Sequence, residues 1–132
     1  MAEGSAEQTI RRAYEAFNTN DAEALAKVVA DDFVMDWSRS IGPEKGVYRG
    51  LDGATDWMNA IREAFDNFEL TPTEFIGSGE QIVVRTQVNA TGRGSGVEVN
   101  ASGITVWVHR GGRLSGLTLY QDEQEAFDAA GL

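Results

Sequence analysis

The sequence predicts an α+β domain, in which helices near the amino terminus pack on a curved, mainly antiparallel sheet. Apolar residues recur with the helical period in the first part of the chain and with the period of strands in the second. Glycine-rich turns at residues 77–79, 92–96 and 111–112 separate the strand-like segments. Helices that precede a run of consecutive strands indicate a sheet with helices grouped on one face.

Two amphipathic helices are expected first. Ser5 and Gln8 have the spacing of a capping box, which predicts a helix start. The apolar face of this helix comprises Ile10, Ala13, Tyr14 and Phe17. Asn20 and Glu23 repeat the capping pattern for a second helix. Its shorter apolar stripe comprises Leu25, Val28 and Val29.

A first strand and a third helix follow. Apolar residues alternate over 33–37, which places Phe33, Met35 and Trp37 on one face of a strand. Residues 39–50 contain several glycines and are expected to form a loop. A third helix is expected from about residue 52. Its apolar stripe comprises Ala54, Trp57, Met58, Ile61, Phe65 and Phe68.

The remainder predicts an antiparallel meander and a short last helix. Strands are expected at residues 70–76, 82–90, 97–109 and 114–120. Gly103 and Gly116 lie inside strand patterns and are candidates for bulges or bends that curve the sheet. Asp122 and Glu125 have the spacing of a helix cap.

Composition excludes several classes of function. The 132 residues suit one domain, 1–132, and their formal net charge of -10 disfavours nucleic acid and anionic membranes as partners. The chain has no cysteine and one histidine, His109, so neither a disulfide nor a metal site is expected. No glycine loop opens a helix, so no nucleotide cofactor is implied. No basic, apolar leader is visible, and a cytoplasmic location is expected.

Several short motifs carry a family resemblance. They read Ala16-Phe17-Asn18-Thr19, Tyr48-Arg49-Gly50, Ile82-Val83-Val84-Arg85, Gly111-Gly112-Arg113-Leu114 and Tyr120-x-Asp122. Through them the chain resembles SnoaL-like domains of the NTF2-like superfamily over nearly its whole length. The resemblance implies a cone with three amino-terminal helices on the sheet, a deep pocket, no cofactor and a homodimer formed through the sheet. It does not fix the reaction, because this fold hosts many activities.

Two enzyme patterns of that superfamily are incomplete here. Polyketide cyclases use a His and an Asp where this chain has Thr105 and Leu119. Limonene epoxide hydrolases use an Arg flanked by two Asp residues, whereas this chain has Arg85 followed by Gln87, with Leu119 at the second position. Neither an amide nor an isobutyl group acts as a base near neutral pH.

The ketosteroid isomerase pattern is also displaced. Its Asp base falls on Trp37, with Asp36 beside it, and its Tyr falls on Ala13, with Tyr14 beside it. Its second Asp falls on Thr105. Neighbouring strand residues point to opposite faces, so Asp36 replaces the base only if a bulge re-aims it.

The resemblance also implies a set of pocket residues. They are Tyr14, Phe17, Met35, Trp37, Trp57, Arg85, Gln87, Thr105, Trp107 and Leu119. The candidates for catalysis are Arg85 as a fixed cation, Asp36 as a base whose pKa is raised by burial, and Tyr14 as a proton carrier. The alternative is that Arg85 and Gln87 form a solvent face and that the aromatic residues fill the core. His109 is expected at a rim or in solvent.

Three functions therefore remain open. The first is a pocket that binds a small hydrophobic molecule, aromatic or polyketide- or steroid-like, with a polar or anionic end. A protein with such a pocket either catalyses a cofactor-free isomerisation, cyclisation or hydration of the molecule, or binds it without changing it. The second is a non-catalytic carrier or accessory subunit. The third is a dimerisation domain with a filled core.

Overall fold

The computed structural model describes residues 2–40, 45–77 and 79–132. Its helices are α1 Ala2–Thr19, α2 Ala22–Ala26, α3 Gly50–Ala64 and α4 Glu123–Ala130. Its strands are β1 Val29–Asp36, β2 Val47–Arg49, β3 Phe65–Ile76, β4 Gln81–Gly92, β5 Glu98–Arg110 and β6 Arg113–Tyr120. None of the helices that the structure describes combines the length and hydropathy that a membrane crossing requires.

The strands form one sheet in the order β2-β1-β6-β5-β4-β3. The pairing of β1 with β6 is parallel, and the other neighbouring pairs are antiparallel. This sheet, together with the helices, confirms the predicted α+β class and the mainly antiparallel pairing.

Side chains alternate between two faces of the sheet, and each face has its own layer. The inner face includes Val84 of β4 and Trp107 of β5, which belong to the main core with residues of α1 and α3. On the outer face, Val83, Ile104 and Val106 pack against Ala126 of α4 in a second, smaller cluster. The carboxy-terminal helix therefore covers the face opposite the other helices, and the helices are not all on one face.

The junction between the first two helices differs from the sequence prediction. Helix α1 already begins at Ala2, so Ser5 lies inside it. At its end, Asn20 adopts a left-handed φ of 53°, and the Asp21 amide donates to the Ala16 carbonyl at 2.9 Å. This is a Schellman-type ending, in which Asn is tolerated at the left-handed position. Asp21, rather than Asn20, then caps α2 by accepting from the Ala24 amide.

Helix α2 is shorter than expected. It ends at Ala26, so Val28 lies beyond it and Val29 opens strand β1. Arg113 of β6 donates to the carbonyl oxygens of Ala26 and Lys27, which are free at the end of this short helix. The apolar stripe predicted for one helix is thus divided between a helix and a strand.

Strand β3 begins earlier than the sequence predicts. Helix α3 ends at Ala64, so Phe65 and Phe68 belong to the strand. The pairing of β3 with β4 shifts register next to Asn67, which has a φ of 55°. The Asn18 side chain exchanges hydrogen bonds with the backbone of Leu70 at 2.7 and 2.8 Å. A side chain from α1 thereby stabilises an irregular strand, which local periodicity does not reveal.

The predicted loop at 39–50 contains the short strand β2, which pairs with β1. Residues 41–44 of that loop, and Ser78 of the next predicted turn, lie outside the described residues. Of the two candidate glycines, Gly116 adjoins a register shift between β5 and β6. The pairing of β4 with β5 continues through Gly103 without a shift, so no bulge occurs there.

Candidate functional site

A cavity of about 260 Å³ lies between the inner face of the sheet and helices α1 and α3. Helix α1 contributes Tyr14 and Phe17, which are three residues apart on one helical face. Helix α3 contributes Trp57, whose ring packs edge-on against that of Phe17 with 5.5 Å between centroids. Strand β5 contributes Trp107, whose ring lies 5.5 Å from that of Tyr14. The walls are therefore aromatic side chains that hold one another in place.

The exposure of residues along strand β5 shows where the mouth and the deep end of the cavity lie. Ala101, near the start of the strand, is exposed, whereas Thr105 is 3% and Trp107 1% exposed. All three residues line the cavity. The mouth therefore lies near Ala101, and the deep end near Trp107. Gln121 also lines the cavity and is exposed, and its side chain donates to the Arg39 carbonyl at 2.9 Å.

The main polar feature inside is the Tyr14 hydroxyl group. It lies 2.6 Å from the Thr86 hydroxyl and 3.4 Å from the Thr105 hydroxyl. Thr105 donates its own proton to the Val84 carbonyl at 3.1 Å, so towards Tyr14 it acts only as an acceptor. When Thr86 donates to Tyr14, the phenolic proton is left with the long contact to Thr105. In that arrangement Tyr14 is able to donate to an oxygen of a bound molecule.

Burial raises the pKa of the Tyr14 phenol above its ordinary value. The hydrogen-bonding contacts of Tyr14 with Thr105 and Thr86, and the neighbouring Trp107 indole, oppose this shift without cancelling it. The Trp107 Nε1 atom nonetheless makes no hydrogen bond within the described residues. The phenol therefore remains protonated at neutral pH, and it acts as a hydrogen-bond donor or weak acid rather than a base.

Two indole N–H groups of the cavity wall lack acceptors. Trp57 and Trp107 are each 1% exposed, and their Nε1 atoms have no hydrogen-bond partner among the described residues. Buried donors without partners are uncommon, because losing water without gaining an acceptor costs free energy. These two indole N–H groups are therefore donors without an acceptor among the described residues.

None of the described residues that line the cavity is Asp, Glu, Lys, Arg or His. No group of three or more metal-ligating side chains occurs within the described ranges either. The lining therefore supplies hydroxyl and amide groups and apolar surface. Among the described residues, the lining supplies no carboxylate or imidazole that could act as a general base near neutral pH.

Seven of the predicted pocket residues line the cavity. They are Tyr14, Phe17, Trp37, Trp57, Thr105, Trp107 and Leu119. Tyr14, and not Ala13 beside it, is the residue of that pair that reaches the cavity. Met35 does not line it, and its side chain packs in the main core instead.

The prediction that Arg85 and Gln87 line the pocket is wrong. Both lie on the outer face of β4, because Val84 and Thr86 occupy the inner face. Arg85 pairs with Glu74 at 2.7 Å and with Glu123 of α4, and these carboxylates raise the pKa of its guanidinium. The Gln87 side chain accepts a hydrogen bond from the Ser102 hydroxyl at 3.3 Å. The alternative reading of this segment, a polar outer face, is correct.

Asp36 is not a buried base. Partial burial acts to raise the pKa of its carboxyl, but hydrogen bonds from the Ser38 amide and hydroxyl outweigh it, with a contribution from Arg39. The pKa therefore lies below its ordinary value. The Asp36 side chain is also 30% exposed and does not line the cavity.

His109 does not lie at the rim of the cavity. It is half-buried on β5, near the turn to β6, where its backbone amide donates to the Glu80 carbonyl at 2.7 Å. Its Nε2 atom is buried and has no hydrogen-bond partner among the described residues. His109 is therefore only partly exposed, and it is not among the described residues that line the cavity.

Among the lining residues that sequence reasoning missed, Thr86 and Gly103 matter most, because they lie beside the Tyr14 hydroxyl group or opposite its partner. A signal for Thr86 was present, since it shares parity with Ile82, Val84 and Val88, which predicts an inward side chain. For Gly103 the sequence indicated a bend, whereas the structure gives it a place in the cavity wall.

An α+β fold with an aromatic cavity between sheet and helices is typical of small pocket-containing domains. Within that class, the chain belongs to the SnoaL-like domain family, because the model of that family matches residues 10–116. The fold is therefore NTF2-like. No functionally curated protein shows significant sequence similarity to the chain.

Solved structures share this fold over most of their length. An NTF2-like protein of unknown function from Burkholderia pseudomallei is 25% identical, with a TM-score of 0.77 and coverage of 97% of this chain and 98% of that one. TerC, co-crystallised with polyporic acid, is 20% identical, with a TM-score of 0.78 and coverage of 96% and 97%. A protein with a ketosteroid isomerase-like fold from Catenulispora acidiphila, in complex with trimethylamine, is 16% identical, with a TM-score of 0.75 and coverage of 94% and 92%.

Proposed function

We propose that this protein binds a small, flat, uncharged hydrophobic molecule in the cavity, with one oxygen of the ligand at the Tyr14 hydroxyl. The observation that carries the proposal is the lining of the cavity. Its aromatic walls surround the buried phenol of Tyr14, and none of the described lining residues is charged. Binding pockets for small organic molecules combine a large apolar surface with a few placed polar groups.

Cavity size supports a ligand of about two fused rings. An engineered cavity of about 150 Å³ in another protein binds benzene. The cavity here is larger, at about 260 Å³. A ligand that spans it from the mouth to the deep end would contact several of the aromatic side chains at once.

Electrostatics favour an uncharged ligand over an anion. The formal net charge of the chain is -10, and the cationic group first expected in the pocket, Arg85, lies on the outer face with two carboxylates. Moving an unpaired carboxylate into an apolar cavity is costly. The anionic end that the sequence suggested is therefore replaced by a neutral hydroxyl or carbonyl group.

The similar structure of TerC with polyporic acid supports the idea that this fold accommodates small organic molecules. It does not identify the ligand of this chain, and the proposed class follows from the residues of the cavity.

Proton-transfer catalysis is the second candidate function, and the protonated phenol of Tyr14 is the observation that favours it. A protonated phenol in an apolar site stabilises an oxygen that gains negative charge during enolisation. Such a reaction also needs a base, and the described lining offers no carboxylate or imidazole. We therefore place non-catalytic binding first.

We further propose a homodimer formed through the part of the outer sheet face that α4 does not cover, and a cytoplasmic location. Ala126 and Phe127 of α4 cover the region around Val83 and Val106, whereas Thr71 and Asn100 of the same face are exposed. Light scattering after size exclusion tests the dimer, since a mass near the 14.3 kDa of one chain would contradict it.

Titration calorimetry with a matched pair of ligands tests the binding proposal. We expect 2-naphthol to bind and naphthalene-2-carboxylate to bind about tenfold more weakly or not at all. Tyr14→Phe should weaken 2-naphthol by about threefold to tenfold, the worth of one neutral hydrogen bond.

Tyr120→Phe is the matched control, because Tyr120 packs in the cluster on the outer face. Its affinity for 2-naphthol should equal that of the unaltered protein. Tighter binding of the carboxylate than of the naphthol, or no binding of either, would contradict the proposal.

A further inference from the structure

Gly103 leaves an open space in the wall of the cavity. It lines the cavity on strand β5. A Cβ atom placed on it would meet one heavy atom, the Leu119 Cδ1 at 3.3 Å, and this flexible side chain would have to shift by a few tenths of an ångström. The volume that a side chain at this position would occupy therefore belongs to the cavity.

This space lies beside the polar group of the site. Gly103 is the cross-strand partner of Thr86, whose hydroxyl contacts that of Tyr14. Thr105, the other hydroxyl near Tyr14, follows Gly103 on the same face of β5. On the mouth side, the preceding residue of that face is the exposed Ala101. Gly103 thus lies between the mouth and the Tyr14 hydroxyl.

We propose that Gly103 determines the size of the ligand: the bare strand position admits the second ring of a fused-ring molecule whose oxygen is at Tyr14. This inference rests on the proposed function. It adds that the ligand extends along β5 from Tyr14 towards Ala101, and that any side chain at 103 shortens the usable cavity.

The backbone does not require glycine at this position. Gly103 is absent from the glycines with positive φ, and its pairing with β4 is regular. Gly inside a strand is less favourable than a residue with a side chain, because it loses more conformational freedom on folding. A substitution here should therefore leave the fold intact, and the open space, rather than the backbone, is what the glycine provides.

The test compares two ligands in several variants. Affinities for 2-naphthol and for phenol are measured by calorimetry, or by NMR titration where binding is weak. In Gly103→Val we expect the ratio of 2-naphthol to phenol affinity to fall about tenfold or more, the effect of a few misplaced methyl groups in a pocket. Gly103→Ala should lower the same ratio by a smaller factor. This variant provides the test if Gly103→Val folds poorly.

Gly116→Ala is the matched control. Gly116 lies in the same sheet, also without a positive φ, and a Cβ on it would meet the Val108 side chain at 3.4 Å, away from the cavity lining. The ratio of 2-naphthol to phenol affinity in Gly116→Ala should equal that of the unaltered protein. Circular dichroism and thermal unfolding of each variant exclude a general loss of structure.

An unaltered ratio in Gly103→Ala and Gly103→Val, with binding of 2-naphthol retained, would overturn this inference and leave the proposed function standing. If the unaltered protein binds neither 2-naphthol nor phenol, both the inference and the proposed function fail. A fall in the ratio that Gly116→Ala reproduces equally would also overturn the role assigned to Gly103.

Discussion

At the scale of single residues, the site depends on one phenol and two threonines. Tyr14 is nearly completely buried, and its hydroxyl lies between those of Thr86 and Thr105. Because Thr105 already donates to a backbone carbonyl, its role towards Tyr14 is fixed, while Thr86 is free to donate or accept. This freedom lets Tyr14 turn its proton towards a ligand without leaving a buried hydroxyl unsatisfied.

The buried phenol predicts how stability depends on pH. The pKa of Tyr14 in the folded protein lies above the ordinary tyrosine value of 10.0, which applies to the unfolded chain. The folded state therefore holds this proton more tightly, and stability is unaffected below about pH 10. As the pH rises further, the unfolded chain loses the proton first, so the free energy of unfolding falls.

Urea unfolding between about pH 8 and pH 11 tests this pH dependence. The unaltered protein should lose more stability over that range than Tyr14→Phe does. Both proteins contain Tyr48 and Tyr120, so the difference between the two curves isolates Tyr14. Parallel curves would show that the phenol is not buried as described.

At the scale of elements, strand β4 decides which groups reach the cavity. Thr86 faces inward, whereas Arg85 faces outward and contacts Glu123 of α4. The alternation of side chains along a strand makes these two neighbours members of different layers. Arg85, which the family resemblance assigned to the pocket, therefore forms an ion pair with Glu123 of α4 instead.

Arg85→Ala separates the two readings of β4. We expect the affinity for 2-naphthol to remain unchanged, because the Arg85 side chain is on the outer face. The free energy of unfolding should change little, because the ion pairs of Arg85 are exposed to solvent. Thr86→Val on the same strand is the contrasting variant, and it should weaken binding because it removes a partner of Tyr14. Loss of binding in Arg85→Ala alone would contradict this assignment.

At the scale of the whole molecule, periodicity and caps predicted most of the elements. The cap of α4 occurs at Asp122, whose side chain accepts from the Gln124 and Glu125 amides. The strands following β3 lie within a few residues of their predicted bounds, since their glycine turns are local signals.

Features that depend on distant contacts were not predictable. The irregular first part of β3 is one example, since Asn18 of α1 binds the strand backbone at Leu70, which is distant in sequence. The sequence did not show which face of β4 points inward, because both faces carry apolar residues. The outer face carries Val83, which packs against Ala126 of α4. The presence of a cavity, rather than a core filled by Trp37 and Trp57, depends on the packing of the whole domain.

The central claim is that the cavity holds a neutral aromatic ligand with its oxygen at Tyr14. A crystal structure of the protein with 2-naphthol tests it most directly. We expect electron density along the inner face of β5, beside Gly103, with the naphthol oxygen about 2.7 Å from the Tyr14 hydroxyl. Density on the outer face beside Arg85, or a cavity closed by its own tryptophan side chains at saturating ligand, would contradict the claim.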